Sequence, residues 1–323
     1  MHVEFAFGVP IFANRGKAIT PGYTELDAGV SLRVACTAES LGYDALWVPD
    51  HLMLGTDDAI LEGWSVLAAL AGSTHRARLG LLHQSHPFRH PALVAKMVAT
   101  LDQISGGRLI YYPDMGNQER EHLAYGMPWN ADRAERIARM VEGLELTLEL
   151  WSASEPVTFE GTYYHTEGAV CRPLPVQRPH PPIWMGEVHP DILAACARYG
   201  QGWHSTPVSL PVLDEKLQAL GAACDAAGRS IDDLQKAMAT QILVAPDRDA
   251  ARRRYQQIFG LAATEDIPDS LNPAWLIGTP DEVEEKIRAY VEAGIGHFLL
   301  WFMDAPAEHG LRLFAEEVMP RFR

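Results

Sequence analysis

Apolar residues along this chain alternate between short continuous runs and longer stretches with a helical period. Residues 3–9 read as a strand, and residues 25–41 as a helix closed by Gly42. Residues 43–48 are rich in aromatic and branched side chains, which predicts a buried strand ending at Pro49-Asp50-His51. A third strand, 77–83, leads through His86-Pro87-Phe88-Arg89-His90-Pro91 into a helix carrying Val94, Met97, Val98 and Leu101 on one face. Gly106-Gly107 stops it, residues 108–112 form the next strand, and Ile137, Met140, Val141, Leu144 and Leu148 mark a longer helix to Trp151.

Residues 157–171, with Gly161 between two β-rich runs, predict a hairpin inserted into the alternation. Strands then recur at 183–185, 202–204, 237–244 and 297–302, with helices at 190–199, 213–228 and 248 to about 263 between them. A loop follows to Trp275, and Thr279-Pro280-Asp281-Glu282 opens a helix as a capping box with proline at its first position. A terminal helix covers 311–318. About eight strands, each followed by a helix except at the hairpin, fit a closed (β/α)8 TIM barrel or a doubly wound sheet with a second domain. No GxGxxG follows the first strand, no P-loop is present and no polar linker splits the chain, so the barrel is favoured, as one domain over residues 1–323.

Composition narrows the function. Of 323 residues, 47% are hydrophobic and 21% charged, as in an ordinary globular protein. The formal charge of -15, without a basic patch, argues against nucleic-acid and membrane partners. Four cysteines without a CxxC pair, no signal-peptide pattern and no long apolar run lead to the expectation of a soluble cytoplasmic protein.

In a barrel, residues directly after the strands line the mouth. Asp50-His51 offers a histidine able to exchange protons beside a carboxylate able to set its tautomer; the plainer alternative is a loop aspartate next to a packed histidine. His83, His86 and His90 do not share a face in a strand and turn, so no metal site is expected. Gly116 and Gly186 each precede a helix and would let backbone approach a phosphate, although Asp114 and Glu187 oppose one; ordinary loop turns are the alternative. Trp184, Trp203 and Trp301 are expected in the core, and Trp64, Tyr112, Trp184 and Trp275 could also wall an apolar pocket.

Five motifs, in register along nearly the whole chain, resemble the bacterial luciferase-like superfamily of flavin- and deazaflavin-dependent oxidoreductases. They are AESLGYDALWVPDH at 38–51, FRHPALVAKMVATLDQISGGRL at 88–109, PVQRPHPPIWMG at 175–186, GTPDEVEEKI at 278–287 and LRLFAEEVMPRFR at 311–323. The resemblance implies a (β/α)8 barrel with a small insertion, a cofactor ring at the strand ends and a homodimer. It implies that Asp50 and His51 stand near the ring, with His51 as hydrogen-bond donor or proton carrier and Asp50 setting its orientation. By the same resemblance His83, Gln84 and Ser85 match a bulge or non-proline cis peptide behind the ring. Gly116 with Asn117, and Gly186 with Glu187, match two glycine-rich turns near the cofactor.

The chain departs from the family where it reads IYYPDMGN instead of a glycine-rich LGLGAGW, and GE instead of GG. PVQRPHPPIW and GTPDEV resemble the subgroup that uses the 5-deazaflavin coenzyme F420, which implies hydride transfer with a small organic substrate. FMN with oxygen, giving a monooxygenase, is the alternative cofactor; a cofactor-free binding homologue is the third reading. The loops 55–64 and 260–275 that would meet the substrate carry no pattern that converts into chemistry.

Overall fold

The computed structural model describes residues 2–17, 19–186, 188–268 and 271–323. Among them, eight parallel strands stand in barrel order: Glu4–Gly8, Ala45–Val48, Arg78–Leu81, Leu109–Ile110, Trp184–Gly186, Gly202–Ser205, Gln235–Val244 and His297–Phe302. The first strand pairs with the last, Phe5 opposite Phe298. The seam between the fourth and fifth closes where Tyr111 bridges Ile183, the Trp184 amide donating to the Tyr111 carbonyl at 2.9 Å. The expected (β/α)8 barrel is therefore the fold. Strands such as HFLLWF are buried along their whole length, because helices cover them outside and side chains fill them inside.

The lumen is filled by Trp47, Trp184 and Trp301 with Ala6, Ala45, Ala237 and Ala239 around them. Each indole lies against a strand glycine: a Cβ on Gly80 would come within 2.3 Å of Trp47, on Gly202 within 2.4 Å of Trp184 and on Gly8 within 2.5 Å of Trp301. Large and small residues thus alternate across the barrel. Trp203 packs instead in the outer layer between strands and helices.

The hairpin forms at Val157–Glu160 and His165–Ala169. The capping box at Thr279 and Glu282 is present, opening the helix Pro280–Glu292. The helix Gly63–Ser73 escapes the periodicity because Trp64, Val66, Leu67, Leu70 and Ala71 spread over too wide an arc to leave a polar stripe. A short helix at Glu119–Ala124 escapes it through its polarity, and the strand Leu276–Gly278 pairs beside the end of the seventh barrel strand. The chain's end is a helix over His309–Leu313 continued by a π-turn over Phe314–Val318. No helix among the described residues is long and apolar enough to cross a membrane.

Candidate active site

The second strand delivers Asp50 and His51 to the barrel mouth, but the two side chains face different partners. Asp50 is buried, and its carboxylate accepts the Ser85 amide at 3.0 Å and a two-point contact from Arg89 at 2.8 and 3.1 Å. Burial pushes its carboxyl above the usual range, against the pull of Arg89 and the Ser85 amide. Arg89 also reaches Glu62 at 2.7 Å, tying the third strand's exit to the start of the helix Gly63–Ser73.

The expectation that Asp50 orients His51 is corrected here: Glu121 does so. His51 Nδ1 lies 3.0 Å from Glu121 Oε1, while Oε2 accepts the Leu52 and Met53 amides at 2.8 and 3.2 Å. Burial disfavours the Glu121 charge, yet the His51 bond and the two amides outweigh it and hold its carboxyl below the usual range. An ionised carboxylate only accepts, so Nδ1 carries the proton and Nε2 faces away from this pair. Asp50 does not take this role because Arg89 and the Ser85 amide already engage both its oxygens.

Across the mouth, His83, Tyr112 and His204 form an aromatic cluster. The His83 and Tyr112 rings are 4.7 Å apart, those of His83 and His204 6.0 Å, and Tyr112 Oη lies 3.4 Å from His204 Nδ1. Burial, with the nearby His83, His297 and Lys216, depresses the His204 pKa far below that of a free imidazole, so it stands neutral. The peptide bond between Leu82 and His83 is cis, and Gln84–Ser85 then pairs with Pro113–Asp114. Gln84 Oε1, Ser85 Oγ and His204 Nε2 are buried at these strand ends with no hydrogen-bond partner in the protein. Such atoms take a partner from a bound group or water.

Gly116 has φ +79 and donates its amide to Asp114 Oδ1 at 2.8 Å; a Cβ there would lie 3.0 Å from Pro87 and 3.3 Å from Ser85 Oγ. Asn117 beside it is exposed. The helix that follows is only six residues long and opens with Glu119 and Glu121, so its start does not favour an anion. At Gly186 a Cβ would come within 2.0 Å of Tyr112 Oη. That glycine therefore makes room for Tyr112, the bulky residue of the IYYPDMGN departure. Glu187 lies outside the described residues. No group of histidine, cysteine and carboxylate side chains suited to a metal occurs among the described residues.

Glu121 and Arg89 are the site residues that sequence reasoning missed. Arg89 stands inside the FRHP motif, and Glu121 in a polar run, GNQEREH, where nothing marks which acid turns inward. Of the aromatic candidates, Trp64 is buried with the Arg89 guanidinium 5.9 Å from its ring, and Trp275 packs in a separate apolar cluster.

A histidine paired with a buried carboxylate stands at the carboxyl ends of the strands of a (β/α)8 barrel, the end at which enzymes of this architecture carry their active sites. The chain belongs to the luciferase-like monooxygenase family, which matches residues 7–297. An F420-dependent glucose-6-phosphate dehydrogenase of Microbacterium testaceum is 30% identical to it over 310 residues, which cover 88% of this chain and 91% of that relative. A monooxygenase structure from Streptomyces bottropensis aligns with TM-score 0.79 at 25% identity, covering 99% of this chain and 100% of that one. An F420-dependent secondary alcohol dehydrogenase, solved with an F420-acetone adduct, shares the fold at TM-score 0.79 with 21% identity, covering 100% of both chains.

Proposed function

We propose that this protein is an oxidoreductase that transfers a hydride between the 5-deazaflavin coenzyme F420 and a small organic substrate at the barrel mouth. The observation that carries the reading is the Glu121–His51 pair, which fixes the His51 tautomer and leaves Nε2 without the proton, able to accept one. The relatives named as F420-dependent dehydrogenases support the cofactor. The site also suits a flat heteroaromatic ring carrying both donors and acceptors. Gln84 Oε1, Ser85 Oγ and His204 Nε2 are buried polar atoms that need such a partner, and Gly116 lacks the Cβ that would press on Ser85 and Pro87.

When bound, the deazaflavin supplies a ring carbon that exchanges a hydride and reacts poorly with oxygen. Gln84, Ser85, Gly116 and His204 would hold it. The protein's own task is the proton. Removing a hydride from a carbinol carbon releases the hydroxyl proton, and His51 Nε2 is available to take it while Glu121 steadies the resulting imidazolium. In the reverse direction the same nitrogen returns the proton to the forming hydroxyl. Asp50 and Arg89 act as positioning residues: they fix the Ser85 backbone and the loop that carries His51.

The monooxygenase relative supports the second reading, reduced FMN with oxygen. The two separate on one experiment, anaerobic turnover with F420 and a panel of small alcohols, aldehydes and sugars, alongside oxygen uptake with reduced FMN. F420-coupled turnover without oxygen, lost in a folded His51→Ala variant, is the expected result. Unchanged turnover in His51→Ala would remove His51 from the reaction, and product formed only with FMN and oxygen would overturn the hydride reading.

A further inference from the structure

The barrel mouth carries a second histidine–carboxylate pair that the chemistry above does not use. His83 Nδ1 lies 4.0 Å from Asp114 Oδ2, while Asp114 Oδ1 accepts the Gly116 amide at 2.8 Å. The backbone sets this pairing, because Gln84–Ser85 and Pro113–Asp114 run side by side with Ser85 opposite Asp114. Asp114 is the acid of the IYYPDMGN departure, where a carboxylate opposes a phosphate but suits an imidazole. Solvent and ligand reach the pair, whose side chains are 27% and 14% exposed, whereas the neighbouring Tyr112 and His204 are buried. His83 also directly precedes Gln84 and Ser85, two of the residues that would hold the coenzyme ring.

Proton counting gives such a pair a task. When an alcohol is oxidised, its carbinol carbon gives up a hydride and its hydroxyl a proton, and a carbonyl remains. Hydride transfer adds one negative charge to the deazaflavin ring, which a proton on its pyrimidine nitrogen neutralises. One proton therefore leaves the substrate oxygen and another arrives at the ring. His51 serves only the first, since Nδ1 is committed to Glu121 and Nε2 has taken the hydroxyl proton. Among the described residues named at this mouth, the others are unsuited to the second. Asp50 is held by Arg89 and the Ser85 amide, and Glu121 by His51 and two backbone amides. Burial keeps His204 neutral, glutamine and serine do not ionise near neutral pH, and a tyrosine holds its proton to about pH 10. His83 is the imidazole left, and a carboxylate beside an imidazole favours the protonated ring.

We propose that His83 is a second catalytic residue of this site, the acid that gives the coenzyme ring its proton as the hydride arrives, with Asp114 as its positioning residue. In alcohol oxidation His83 passes from imidazolium to imidazole while His51 passes from imidazole to imidazolium, and exchange with solvent resets both. No further oxidant or reductant enters, and in the reverse direction the two histidines exchange roles. This assignment rests on the hydride reading given under the proposed function.

The test compares the full-length wild type with His83→Ala, His83→Gln, Asp114→Asn and His51→Ala. F420 binding is followed by fluorescence, and anaerobic F420-coupled oxidation is measured across the panel of alcohols, aldehydes and sugars. Both His83 variants are expected to bind F420 within about threefold of wild type yet to lose about 100-fold in kcat. Added imidazole restores His83→Ala in proportion to its imidazolium fraction and His51→Ala in proportion to its neutral fraction, a split that a structural role would not produce. Asp114→Asn loses about tenfold, and ¹⁵N NMR of its ligand-free form shows the His83 ring holding its second proton less firmly than in wild type. His83→Gln keeps the test open if the alanine variant does not fold. Unchanged turnover in a folded His83 variant that binds F420, or rescue of His83→Ala by neutral imidazole, overturns the role of His83 and leaves the hydride reading standing. A His83 ring unaltered in Asp114→Asn overturns the part given to Asp114. Absence of F420-coupled turnover in wild type overturns the hydride reading, and this role with it.

Discussion

Replacing Glu121 by glutamine changes one atom and inverts the hydrogen bonding of His51. Glu121 Oε2 accepts two backbone amides, Leu52 and Met53, which can only donate, so the single glutamine oxygen is held there. The new amide NH2 then faces His51 Nδ1, which must accept, and the ring proton moves to Nε2. To restore the original tautomer the glutamine has to turn its NH2 onto two amide donors, giving up bonds to a buried group worth roughly 2–3 kcal/mol. With His51 Nε2 as the proton acceptor, that corresponds to a fall of about 30–150-fold in kcat/KM for substrate oxidation. The assay is steady-state kinetics of folded Glu121→Gln together with ¹⁵N NMR of the His51 ring, which reports the tautomer directly. The variant also lacks a titration. Because the folded-state pKa of Glu121 is lowered, it contributes stability above its unfolded pKa that is lost as pH falls through the folded value. The acid limb of the stability curve is therefore flatter in the variant. A kcat/KM within about twofold of wild type, with Nδ1 still protonated, would refute the role given to Glu121.

Three further outcomes are expected. Arg89→Met leaves Asp50 buried without its counter-charge and costs about 3–5 kcal/mol at pH 7 by denaturant unfolding, while Asp50→Asn costs less. Since the Asp50 pKa is raised, its ionised form opposes folding, so the loss in Arg89→Met shrinks as pH is lowered toward the unfolded carboxylate range; a loss independent of pH would contradict this. Gly186→Ala drives a methyl into Tyr112 Oη and costs about 1–3 kcal/mol, a loss that Tyr112→Phe relieves in a double-mutant cycle; additive losses would mean the clash lies elsewhere. At the opposite end of the barrel, burial raises the Glu4 pKa, but bonds from His297, Arg78 and Gln235 bring it down to about 2. Its stabilisation, roughly 2–3 kcal/mol, is present above pH 4.5 and lost as pH falls toward 2, and Glu4→Gln removes that part of the acid transition.

Legibility in the sequence followed the length scale of the interaction. The Thr279–Glu282 capping box and the strand HFLLWF are local patterns, and both stand in the structure where the residues place them. The helix Gly63–Ser73 is local too, but it is apolar over most of its surface and carries no period to read. The site is less legible because its bonds span the chain. His51 and Glu121 are neighbours only once the second strand and the short helix Glu119–Ala124 meet across the mouth. Asp50 was the obvious carboxylate by adjacency, and adjacency in a loop says little about side-chain direction. Gly186 illustrates the same limit: its missing side chain answers to Tyr112, which comes from a different strand.

The most direct measurement is an anaerobic titration of the purified protein with F420 and, in parallel, with FMN, following cofactor fluorescence. The expected result is saturable micromolar binding of F420 with no comparable binding of FMN. Selective binding of FMN, or of neither ring, would contradict deazaflavin-dependent hydride transfer as the function of this barrel.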